Sequence, residues 1–161
     1  MGRVALALCL FVATATALEC QGASPAPSTL PLVGDWQLNL DRTHYGPGVD
    51  RRRSERMTCT EESQGVRCVI RRVRSDGREL TADFTSSLDG APAPVSGIPD
   101  VDEVQLRRPS LALIDATFLS HGTPIFGYRV LQSDDGRSLM VVSVDPVTRV
   151  AGATVVVYDR M

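Results

Sequence analysis

No lysine occurs among the 161 residues, so all 17 basic side chains are arginine and Schiff-base chemistry on a lysine amine is excluded. Histidine is nearly absent: His44 and His121 each stand beside turn residues, and neither belongs to H-E-x-x-H or another metal-ligand spacing. Both read as surface turn histidines. Aromatic residues make up only 5% of the chain, and none interleaves with the arginines as a base-stacking surface requires. With a net charge of −2, nucleic acid is a poor partner. No G-x-S-x-G elbow, P-loop or dinucleotide fingerprint is present, and no cofactor is implied. No stretch sustains the i, i+3, i+4 apolar spacing of a long helix, and none beyond the first residues approaches the ~20 apolar residues of a membrane span.

What is present begins with a targeting pattern. Arg3 supplies a positive start, residues 4–12 an apolar run, and Ala15-Thr16-Ala17 an A-x-A cleavage site. Residues 1–17 therefore read as a signal peptide, which predicts a secreted or periplasmic protein with no transmembrane segment in its mature chain. Residues 18–31, "LECQGASPAPSTLP", are small and proline-rich, as in a flexible leader. The remaining 32–161 are of a length that predicts one domain.

The arginines are unevenly placed. Residues 42–78 carry ten against five acids, while residues 79–161 carry six against eleven. "RRR" at Arg51 to Arg53 and "RRVR" at Arg71 to Arg74 could centre an anion-binding face. The plainer reading is solvated strand faces whose arginines pair with acids on neighbouring strands.

After cleavage three cysteines remain: Cys20, Cys59 and Cys68. In "RMTCTEESQGVRCVI" the last two flank a turn signal. If Ser63 and Gln64 form a two-residue loop, Cys59 stands opposite Cys68 in a non-hydrogen-bonded pair, with Cα atoms about 4.5 Å apart and within disulfide range. A three-residue loop with Gly65 left-handed would shift the partners by one. A metal or redox role is weaker, because the spacing is not C-x-x-C and no histidine lies near. Cys20 is left in the leader, free or available for an intermolecular bond.

From Leu32 onward, β-type runs alternate with turn signals such as Ser75-Asp76-Gly77, Ser120-His121-Gly122 and Asp134-Asp135-Gly136. Candidate strands are 35–40, 53–61, 66–74, 79–88, 102–107, 111–120, 125–132, 139–145 and 153–160. The short links predict an all-β antiparallel meander, which closes because open sheets leave pairing edges. The expectation is a single up-and-down barrel of eight strands, or nine if every candidate joins it. "GAPAPVSGIPDVD", residues 90–102, is expected to be a link, because proline is kept out of central strands. Trp36, Leu38 and Leu40 should share the inner face of the first strand. Gly34 lets the chain turn into that strand, and Trp36 can plug one end. In such a barrel the last strand pairs with the first, which brings the Arg160 guanidinium over the indole.

The G-x-W start at Gly34 and Trp36, with a terminal Arg160, resembles the lipocalin-like (calycin) barrels. From Gly34 to Arg160, "GDWQLNL", "YGPG", "SLDG", "PVSGIPDVDEV", "RVLQSDDGRSLMV" and "VVVYDR" together resemble a group of secreted bacterial proteins with a predicted lipocalin-like fold. The resemblance implies a barrel and an extracytoplasmic address, and brings no catalytic residues. A flanking helix and the second lipocalin motif are missing.

Among possible acid sites, "PDVDE" with Asp100, Asp102 and Glu103 lacks the glycine and distal glutamate of an EF-hand loop, and nothing in the sequence brings Asp83 to Asp115. The functional expectation is noncovalent binding of a small apolar or amphipathic molecule inside the barrel, against Trp36, Leu38, Phe84, Phe126, Tyr128 and Tyr158. The same residues could instead fill a solid core. The alternative is a ligand-free module of the cell envelope that binds anionic polymer or lipid through its arginines.

Overall fold

The computed structural model describes residues 30–49 and 51–161. The expected signal peptide, most of the leader and Cys20 lie outside them. Ten strands follow one another in a meander: β1 (Gly34–His44), β2 (Arg52–Glu62), β3 (Gly65–Arg74), β4 (Glu79–Ser86), β5 (Asp89–Ser96), β6 (Glu103–Ser110), β7 (Leu113–Ser120), β8 (Thr123–Gln132), β9 (Ser138–Val144) and β10 (Ala151–Arg160). Each pairs antiparallel with its chain neighbours, and β10 returns to β1, so the sheet closes into a barrel. No helix among the described residues is long and apolar enough to cross a membrane.

The barrel therefore has ten strands rather than eight or nine, and the added strand is β5, the segment "DGAPAPVS" expected to be a link. Its prolines are tolerated because both missing amides point the same way. Val95 donates its N–H to the carbonyl of Asp102, on the β6 side, so the alternation aims positions 92 and 94 at β4. Pro92 and Pro94 thus leave the ladder to β6 intact, where they stand opposite Gln105 and Glu103. The ladder to β4 shrinks to two pairs, Asp83 with Ser96 and Phe84 with Val95. Beyond them Gly97, at φ 79°, lies so close to β4 that a Cβ would fall 1.7 Å from the Thr81 carbonyl oxygen. In effect β5 is a central strand on one side and an edge strand on the other.

The inward face holds the core, with Trp36, Val66, Val104, Ile114, Leu139 and Val156 fully buried. Trp36 plugs one end. Its indole N–H donates to the Leu32 carbonyl at 2.8 Å, and the Arg160 guanidinium carbon sits 4.3 Å from the ring centroid. The two residues are direct partners across β1 and β10. Gly34 takes φ 140°, and a Cβ there would meet Arg160 Nη1 at 2.5 Å, so the glycine admits the guanidinium that covers the tryptophan. Leu40 is a correction: it is 48% exposed, because the β1 to β10 register shifts after Asn39 and turns the rest of β1 outward. Over that stretch Thr43 Oγ1 accepts the Val157 N–H in place of a ladder carbonyl.

Glu62 pairs with Gly65, so Ser63 and Gln64 form the two-residue loop, and Cys59 meets Cys68 with Cα atoms 4.2 Å apart. The two are joined by a disulfide.

Candidate functional site

The same alternation that builds the core sorts the arginines. On β3, Val66, Cys68 and Ile70 face inward, and Arg72 continues that face while Arg71 stands in solvent. On β2, Cys59, Met57 and Glu55 face inward. Strict alternation would leave Arg52 outside with Ser54 and Arg56, but a register shift between Arg52 and Ser54 reverses it, and the Arg52 side chain is only 8% exposed. Glu55 lies opposite Arg72 across β2 and β3. Tyr158 lies opposite Leu38 across β10 and β1.

These side chains form an ionic cluster that is buried except at Arg72, which is half-buried. Glu55 is 2% exposed and is, among the described residues, the one charged residue in the buried class. Arg52 Nη1 donates to Glu55 Oε1 at 3.1 Å and to the Tyr158 hydroxyl at 2.7 Å. The Tyr158 hydroxyl donates in turn to Glu55 Oε1, and Arg72 Nε donates to Glu55 Oε2. Burial and then the Glu55 charge push the Tyr158 hydroxyl well above the usual phenol range, so it stays protonated. Burial works against the charge on Arg52, but Tyr158, Glu55, Tyr128 and Tyr45 outweigh it and raise its pKa.

Beside the cluster lies a cavity of about 100 Å³. Arg52, Glu55, Arg72 and Tyr158 line its polar side. Its apolar side carries an aromatic wall: Phe118 stacks on Phe126 at 4.8 Å between centroids, meets Phe84 edge-on at 6.3 Å, and stands 6.1 Å from Tyr128. Five of the seven aromatic residues among those described, Phe84, Phe118, Phe126, Tyr128 and Tyr158, thus line one space.

Four of the six residues expected at a ligand site, Phe84, Phe126, Tyr128 and Tyr158, stand on the cavity wall. Trp36 and Leu38 are buried in the core without lining it. Phe118 was readable as inward from its alternation with Ile114 and Ala116. Glu55 and Arg72 had a signal too, as charged residues in register with apolar inner faces. Arg52 had none, since a bulge sets its direction.

The two carboxylates weighed as an acid pair are committed elsewhere. Asp83 binds Arg67 through both oxygens, at 2.8 and 3.1 Å, and Asp115 is held by Arg129 and Arg149. Two strands separate β4 from β7, so Asp83 and Asp115 form no acid pair. His121 Nδ1 lies 3.0 Å from Asp102 on the surface. Among the described residues no three His, Cys, Asp or Glu side chains gather as a metal site. Comparison of the chain with family models, curated proteins and solved structures finds no match.

Proposed function

We propose that this barrel holds a small hydrophobic or amphipathic molecule noncovalently in its interior, outside the cytoplasm, and does no chemistry on it. The observation that carries the reading is the cavity of about 100 Å³ between an aromatic wall and an ionic cluster. Protein interiors are close-packed, so an unfilled space of this size stands out; it is smaller than the ~150 Å³ apolar cavity that holds benzene and suits a molecule of only a few heavy atoms. The Cys59–Cys68 disulfide and the signal-peptide pattern at residues 1–17 support an oxidising, extracytoplasmic compartment. The closed meander, with Gly34, Trp36 and Arg160 where β1 meets β10, supports a lipocalin-like ancestry.

The rival reading is an outer cationic face for anionic polymer or lipid. Its arginine runs lose Arg52 and Arg72 to the interior, while Arg67 and Arg56 pair with Asp83 and Asp35.

Native mass spectrometry of protein purified from its own cell envelope, followed by solvent extraction, tests the proposal. A copurifying small molecule is expected, and Phe126→Trp, which fills the cavity, should abolish it. Protein that is repeatedly empty, with salt-sensitive retention on an anionic polymer that Arg51→Ala and Arg71→Ala remove, would favour the rival.

A further inference from the structure

The charged residues lining the cavity are Arg52, Arg72 and Glu55, a formal balance of +1 in a space otherwise walled by apolar groups and tyrosine hydroxyls. A charge in such surroundings is costly unless paired. Glu55 is shared between both arginines; Arg72, whose side chain is 28% exposed, also reaches water, whereas Arg52, at 8%, does not, so the Arg52 charge is the one left short of a counter-charge inside.

Hydrogen bonding shows the same surplus. A guanidinium has five N–H donors and no acceptor. Arg52 uses Nη1 for Glu55 and Tyr158, while its Nε and Nη2 find no acceptor among the described residues and are not among the polar atoms sealed away without a partner. Tyr128 lines the same cavity as Arg52 and bonds its hydroxyl to no described residue.

We infer that the ligand carries one anionic head of carboxylate type, bound by Arg52 and the Tyr128 hydroxyl, with its apolar part against Phe118 and Phe126. This deepens the carrier reading and rests on it. A cation would add to the surplus positive charge. A neutral alcohol could accept a hydrogen bond but would leave the charge unmatched. A planar carboxylate does both, since it can take two guanidinium N–H groups at once. The cavity sets the size: at about 100 Å³ it takes a short chain rather than an aromatic ring.

The test compares three probes with the same four-carbon chain, butanoate, 1-butanol and butylammonium, by NMR titration of the full-length protein. Butanoate should bind at least about tenfold more tightly than 1-butanol, and butylammonium not at all. Arg52→Gln should erase the butanoate advantage and leave 1-butanol within about twofold. If that variant does not fold, Tyr128→Phe, which removes a hydroxyl with no partner among the described residues, should still weaken butanoate severalfold and leave 1-butanol unchanged. Should 1-butanol bind as tightly as butanoate, or should either variant keep the full advantage, the anionic head is overturned and the carrier reading stands. If none of the three binds, both fall together.

Discussion

Glu55 carries a negative charge into an interior where an unpaired carboxylate would not survive, and three neighbours make that possible. Two guanidinium groups and one phenol satisfy its oxygens, so no member of the cluster can be removed without stranding another. The cluster has a pH signature. The folded Tyr158 hydroxyl holds its proton well above the pH at which an unfolded tyrosine, near 10, releases it. Below that pH the two states bind the same proton and its contribution is fully present. As pH rises above 10 the unfolded chain loses the proton first, and stability falls until the folded hydroxyl titrates as well. Urea unfolding between pH 9 and 11.5 should therefore show a declining midpoint, and Tyr158→Phe should decline less steeply over the same range. Parallel declines for the two proteins would place the alkaline sensitivity elsewhere.

At the scale of the elements, the barrel is unevenly sewn. β2, β3 and β4 are joined by long continuous ladders, from Glu62–Gly65 to Ser54–Val73 and from Val66–Ser86 to Val73–Glu79. Between β4 and β5 only two residue pairs hold the seam, because Pro92 and Pro94 offer β4 no donors. Hydrogen exchange should find the amides of β5, and those of β4 that face β5, opening with the least free energy in the barrel, and those between β2 and β3 with the most. Uniform protection around the barrel would contradict that ranking. The same prolines explain why β5 was not legible as a strand. A proline rule read along the sequence cannot tell that both missing donors face one neighbour, and the link it assigned is where the tenth strand lies. The Leu40 end of β1 and the inward turn of Arg52 were hidden for a related reason. Each depends on a register shift against a partner strand, and no pattern within its own strand records it. Where the alternation is unbroken, as from Met57 to Glu61 and from Val66 to Arg72, faces and partners were readable, down to the pairing of Cys59 with Cys68.

For the whole molecule, closure turns ten half-buried strands into one inner space, and the use made of that space is the central question. One end is shut by Trp36 beneath Arg160, with Leu32 accepting the indole N–H. The interior beyond it is partly unfilled, bordered by four aromatic rings and an ionic cluster whose charges do not cancel. A core built for stability alone would gain from closing such a space, since a void forfeits the contacts its walls would otherwise make. The most direct measurement is a high-resolution crystal structure of the protein purified from its own envelope, without added ligand. The account predicts density for one small organic molecule in the cavity, its head within hydrogen-bond distance of Arg52 and its body against Phe118 and Phe126. A cavity closed by repacked Phe118 and Phe126, or one holding only water, would contradict it.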